Sequence, residues 1–229
     1  MFKLIESTDT FILISKNTGV SFHKADNPEG LTERMRKDLN IQEFYPVHRL
    51  DKITSGLLLF ARTKDIAREL ASQFQAHSVE KFYLAIGGSE PKKKQGLIVG
   101  DMKKGRDGEW ILAKTLENPA KTRFLSTSLI PGLRLYMLKP FTGRTHQVRV
   151  ALKSIGAPVL GDPLYTKKVK EGITPDRGYL HSYAIQFTIK GVSYRYKVLP
   201  DEGAYFTGDE FKTALQKIGE DPWELKWGK

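Results

Sequence analysis

One carboxylate stands where a reaction would need it. In Val47-His48-Arg49-Leu50-Asp51-Lys52-Ile53-Thr54-Ser55-Gly56-Leu57-Leu58-Leu59-Phe60, polar, turn-forming residues run directly into a wholly apolar strand. Asp51 therefore lies in a loop at the mouth of a buried strand, flanked by His48, Arg49 and Lys52. Thr54 and Ser55 can hydrogen-bond the loop backbone. Nearby cations and hydrogen bonds hold a carboxylate ionised, which suits a nucleophile better than a general acid. The plainer reading is a surface turn that an Asp caps. A second cluster, Thr142-Gly143-Arg144-Thr145-His146-Gln147-Val148-Arg149, lies where a loop enters a helix. Its backbone N–H groups and cations are suited to an anion. That anion is either a phosphate or a carboxylate such as Asp51 in a bidentate pair with Arg144; the plainer reading is a basic helix start. Gly161-Asp162-Pro163-Leu164-Tyr165 reads as a structural turn. No phosphate-cradling glycine loop, nucleotide fingerprint or Gly-x-Ser-x-Gly elbow occurs.

The elements that must position these stretches follow from periodicity. Thr10 to Ser15 is a short apolar run, hence a buried strand, and Leu31 to Leu39 a short helix. Thr63 to His77 is a longer helix, with Thr63 as cap, Asp65 in the first turn, and Ile66, Leu70 and Phe74 on one face. In Lys81–Ile86, Phe82, Leu84 and Ile86 share a face, and Tyr83, most simply half-buried packing, points the other way. Strands are expected near Trp110–Leu112, Thr122–Leu129 and Leu133–Leu138, and a helix that begins near Thr145, has Val148, Leu152 and Ile155 inside and is stopped by Gly156 and Pro158. Tyr183–Ile189 and Tyr194–Val198 alternate on either side of Gly191, as in a hairpin. Thr207-Gly208-Asp209-Glu210 has the capping-box pattern for a last helix containing Phe211, Leu215 and Ile218. Strands are many, helices few, and the two do not alternate. The fold class is therefore α+β with a mixed, mostly antiparallel sheet and flanking helices.

Composition narrows the function. Among 229 residues, 37 Lys and Arg exceed 26 Asp and Glu by 11, a surplus that suits a polyanionic partner. There is no cysteine, which removes disulfides, thiolate nucleophiles and cysteine metal sites. The five histidines (His23, His48, His77, His146, His181) never take a metal-binding spacing, so no metal is expected. No apolar run approaches the ~18 residues of a membrane span, and Glu6 interrupts the start before a signal peptide could form. A soluble, cytoplasmic, monomeric protein with no membrane partner is expected.

Together these stretches resemble the RluA-type family of RNA pseudouridine synthases, over about residues 7–187. The resemblance rests on His48–Phe60, on Thr142–Val150 followed by Gly156–Tyr165, and on the shorter Lys81–Ala85 and Arg177–His181 runs. It implies a pseudouridine synthase-like fold with a central basic cleft, and one catalytic domain over residues 1–229 without an accessory N-terminal RNA-binding domain. The implied reaction isomerises uridine in a tRNA or rRNA stem-loop to pseudouridine and, being redox-neutral, needs no cofactor. By resemblance, Asp51 is the catalytic aspartate. Tyr83 stacks on the base and is a candidate to take the C5 proton, and Arg144 ion-pairs with the aspartate. Leu180 is an apolar pocket residue, and Arg49 contacts RNA near the flipped uridine; His48 and Thr54 join the substrate-binding set. The family's Lys-Pro-x-Gly is Lys16-Asn17-Thr18-Gly19 here, so that loop is expected to be less rigid. A His-Pro that often follows the late strand is replaced by Ile189-Lys190. The rival readings are a non-catalytic RNA-binding module or RNA chaperone on the same fold, which would not require Asp51, Tyr83 and Arg144 together, and a DNA- or anion-binding protein, which would explain only the charge. Trp223 and Trp227 have no functional reading.

Overall fold

A computed structural model describes residues 1–22 and 30–227; His23 lies outside them. In chain order the elements begin with β1 (Phe2–Ser7), β2 (Phe11–Lys16), α1 (Leu31–Leu39), β3 (Tyr45–Pro46), β4 (Thr54–Ala61) and α2 (Lys64–Gln75). Then come β5 (Glu80–Gly88), β6 (Gly96–Gly100), β7 (Met102–Lys104), β8 (Trp110–Leu112), β9 (Ala120–Ile130), β10 (Leu133–Pro140) and α3 (Gln147–Ser154). The last are β11 (Leu180–Ile189), β12 (Val192–Lys197), α4 (Ala204–Thr207) and α5 (Asp209–Ile218). The class is α+β, and every pairing whose register is described is antiparallel. The chain divides into two compact units, Met1–Glu80 with His181–Leu199, and Lys81–Leu180 with Pro200–Lys229.

In the first unit the strand order is β1-β2-β4-β11, with β3 on β4 and β12 on β11. Strands β2 and β4 are buried at every position, as unbroken apolar runs are when both faces are covered. Helix α2 forms where its pattern places it: Thr63 Oγ1 accepts the Ile66 N–H at 3.3 Å, and Ile66 and Leu70 join Phe11, Leu57, Leu59 and Phe187 in the core. The β11–β12 hairpin turns at Lys190 and Gly191, with φ of 49° and 79°, the left-handed pair that a two-residue turn favours. Gly56 in the Thr-Ser-Gly step has φ 100°, and a Cβ there would lie 2.3 Å from the Ser182 carbonyl oxygen. Glycine lets β4 and the start of β11 approach.

In the second unit β5, β10, β9 and β6 are neighbours in that order, and β7–β8 forms a separate hairpin. Val148, Ala151 and Leu152 of α3 pack on Phe124, Tyr136 and Leu138 of the sheet. Trp223 and Trp227 of the C-terminal tail lie 5.5 and 5.6 Å from the Phe82 ring, so both have a packing role.

Two boundaries differ from the sequence expectation. Helix α3 starts at Gln147 instead of Thr145, because His146 takes a left-handed φ of 58° and ends the loop. Thr207 does not cap α5. Its hydroxyl donates back to the carbonyl of Gly203, the N-cap of α4, and Gly208 is the N-cap residue of α5 without a side-chain bond. Thr207 is the last helical residue of α4, so the N-cap position of α5 falls one residue later.

Candidate active site

In the first unit Asp51 opens a tight turn, its carbonyl accepting the Thr54 N–H at 3.0 Å. The next carbonyls are also engaged. That of Lys52 accepts the Gly19 N–H at 2.8 Å and the Lys16 ammonium at 3.4 Å, and that of Ile53 accepts the Thr18 hydroxyl at 3.0 Å. Lys16 is almost fully buried, and its ammonium also donates to the carbonyls of Val20 and Asn17 at 2.9 and 3.0 Å. The Asp51 turn is thus fixed by its own backbone against the Lys16–Val20 loop, and Asp51 itself is only partly buried. In that loop the Asn17 N–H donates to the Met1 carbonyl at 2.9 Å, a bond proline could not make. The departure from Lys-Pro-x-Gly exchanges ring stiffness for a hydrogen bond.

The residues around Asp51 fall into different environments. Arg49 and Lys52 are exposed. Thr54 is buried, and its described bond is the backbone one that closes the turn. His48 stacks on Phe74 at 4.8 Å, and its Nε2 accepts the Leu59 N–H at 3.0 Å, so the proton of the neutral ring is on Nδ1. Ser55 is 2.8 Å from His181 Nδ1, and His181 Nε2 is 2.9 Å from the Val198 carbonyl. A carbonyl only accepts, so in the neutral ring Nε2 carries the proton and the Ser55 hydroxyl donates to Nδ1.

In the second unit Arg144 is held by side chains. Gln147, buried at the start of α3, accepts the Arg144 N–H at 2.9 Å and the Thr142 hydroxyl at 2.8 Å through one oxygen. Its amide nitrogen donates to the Lys121 carbonyl at 3.1 Å and the Thr122 hydroxyl at 3.0 Å. The exposed Arg144 guanidinium donates to the Asn118 side chain. Lys81 is buried with its ammonium near Gly143, and desolvation pushes its pKa below the usual lysine value. One turn into the helix, buried Arg149 makes a two-pronged pair with Asp162 at 2.7 and 2.9 Å. Asp162 also accepts the Leu164 and Tyr165 N–H groups, which makes Gly161–Tyr165 the structural turn expected. The Tyr165 hydroxyl is 3.0 Å from His146 Nδ1 and accepts the Trp110 N–H at 2.8 Å, tying the β7–β8 hairpin to the Arg144 loop.

Tyr83, half-buried on β5 opposite Leu138, packs against the cluster that contains Leu180. The first unit therefore has Asp51 and Thr54 at the two ends of one turn, Arg49 exposed before it and the His48 ring against Phe74 and Leu59, and the second brings Tyr83 and Leu180 into one cluster. Sequence reasoning gave Lys16, Gln147 and Trp110 no individual role. Gln147 had a signal, since a Gln in the first turn of a helix can reach back to the loop N–H groups before it. Among the described residues, no three His, Asp or Glu side chains are grouped to hold a metal, and no helix is long and apolar enough to cross a membrane.

Comparison with known proteins gives one consistent result. Residues 10–154 match the family model described as RNA pseudouridylate synthase. The chain is 48% identical over 196 residues to an uncharacterized RNA pseudouridine synthase of Haemophilus influenzae, covering 86% of each. It is 29% identical over 191 residues to ribosomal large subunit pseudouridine synthase C of Vibrio vulnificus, covering 81% of this chain and 61% of that protein. In fold it is similar to human RNA pseudouridylate synthase domain containing 1, with a TM-score of 0.73 at 23% identity, over 88% of this chain and 84% of that one.

Proposed function

This chain belongs to the RluA-type family of RNA pseudouridine synthases, isomerases that act on RNA, and from that premise we propose that it converts a specific uridine of a structured tRNA or rRNA element to pseudouridine, with Asp51 as the catalytic aspartate. The observation that supports Asp51 is its turn. The carbonyls of residues 51, 52 and 53 are all engaged, so the backbone is fixed while Asp51 itself is only partly buried. A preorganised charge of this kind costs no reorganisation when the reaction occurs.

The reaction breaks the bond from ribose C1′ to uracil N1 and forms one from C1′ to C5. C5 loses a proton and N1 gains one, so no oxidant or reductant is consumed. A single carboxylate is sufficient, since the leaving base is also the returning nucleophile. Asp51 serves any of three openings: attack on C1′ as in retaining glycosidases, removal of a ribose proton, or addition to the base. The uridine must leave its stack to be reached. Tyr83 supplies a ring for the base and a hydroxyl for the C5 proton, Leu180 an apolar contact, and Arg144, by the family resemblance, the cation that pairs with the aspartate. Arg49 is exposed for contact with RNA, while Thr54 and His48 act on substrate through the turn and strand they hold in place. The proposed setting of this activity is the cytoplasm.

The test is to incubate the purified chain with total RNA from cells lacking its gene and to map pseudouridine before and after. One or a few uridines should convert in near-stoichiometric yield. No new pseudouridine in any RNA would overturn the reading.

A further inference from the structure

Unit two contains a pocket of about 500 Å³ beside the Arg144 loop, within the range of small-molecule sites. Its lining combines apolar surface from Trp110 and Met102, the cations Lys103 and Arg144, and the carboxylates of Asp101 and Glu117. The Asp101 carboxylate is spent on the fold. Its oxygens accept the Glu117 and Asn118 N–H groups at 3.0 and 2.8 Å, and a hydrogen bond from the Thr115 side chain, with these two and the nearby charge of Lys103, holds its pKa below the usual carboxylate value.

The pocket is braced from outside. The Tyr165 hydroxyl fixes the Trp110 backbone at 2.8 Å, and the Lys153–Glu109 ion pair at 2.9 Å secures the preceding residue. The indole itself is only partly covered. A ring and two cations around a nucleotide-sized space fit a planar base attached to phosphate.

We propose that this pocket is a second nucleotide subsite, in which Trp110 stacks on the base of a residue flanking the target uridine while Lys103 neutralises its phosphate. The proposal rests on the functional reading above. Arg144 belongs both to the catalytic set and to this wall, so the occupant is a near neighbour of the target in the same strand. The subsite lets the enzyme hold RNA outside the reacting nucleotide, and with it gives a preference for sequence context.

The test uses the whole protein and a synthetic stem-loop carrying the uridine mapped in total RNA. Abasic residues replace, one at a time, the two nucleotides on either side. With wild-type protein one abasic substitution should lower kcat/KM about 5- to 100-fold, the scale of removing one base–aromatic stack. Trp110→Leu should cause a similar loss on the intact RNA yet respond less than twofold to that abasic residue; Trp110→Phe should recover most of both effects. Melting temperatures close to wild type would confirm that the Leu variant is folded, and if it is not, the wild-type abasic series and Trp110→Phe decide alone. Wild-type conversion that is indifferent to all four abasic residues, or full additivity of Trp110→Leu with each, would overturn the subsite and leave the functional reading standing. No conversion by the wild type in any RNA would instead bring down both.

Discussion

The Asp51 turn and the Arg144 loop reach the same end, a charged group on a fixed backbone, by opposite means. Around Asp51 the acceptors are main-chain carbonyls, and the donors are spread over Lys16, Thr18, Gly19 and Thr54. Around Arg144 one amide side chain, Gln147, makes four bonds, and a buried ion pair behind it anchors the helix. A single substitution at Thr18 removes one hydrogen bond from the Asp51 turn, and one at Lys16 removes one from the turn and two from the adjoining loop. In a side-chain hub one substitution removes every bond at once. The Asp51 turn should therefore tolerate single substitutions that the Arg144 loop does not.

The largest expected effect is Arg149→Met, which leaves Asp162 buried without its cation. Breaking one side of such a pair costs about 3–5 kcal/mol, or roughly 6–20 °C in melting temperature for a chain of this size. A shift within 2 °C would show that the pair does not anchor the loop. Next comes a matched test of the comparison itself. Gln147→Ala should cost about 1–3 kcal/mol and lower kcat about tenfold or more with KM little changed, because the Arg144 N–H loses its acceptor. Thr18→Ala, which removes one of the several bonds on the Asp51 turn, should cost about 1 kcal/mol and leave kcat within twofold. Equal effects on kcat would erase the distinction between the two regions.

The smallest effect on stability should come from Lys92, Lys93 and Lys94 changed together to Gln, within about 0.5 kcal/mol, since all three are exposed. Their contribution is to binding: for each phosphate that is no longer neutralised, the slope of log affinity against log salt should fall by about 0.7–0.9. An unchanged slope would make the run a solvated surface only.

Local pattern carried far where the determinant was local. Leu31–Leu39 and the Thr63 cap could be read from spacing because capping and amphipathicity act within one or two turns. Asp51 could be read as a loop residue before a buried strand for the same reason. Interactions between distant segments could not. The His48 ring is used by Leu59 and Phe74, Lys16 reaches the Asp51 turn from another loop, and Trp110 acquires its pocket from residues near 117 and 144. Thr207 shows the limit of a local motif, since its hydroxyl was equally suited to the turn before it.

The central claim, that Asp51 turns RNA binding into isomerisation, is tested most directly by Asp51→Asn. The substitution keeps shape and removes charge. Tritium release from RNA labelled at uracil C5 should be measured beside affinity for the same RNA. Asp51→Asn should bind RNA within about threefold of wild type, slightly tighter if anything because one repulsion of phosphate is gone, and release no tritium above background. A variant that retains a tenth or more of wild-type turnover would contradict the account.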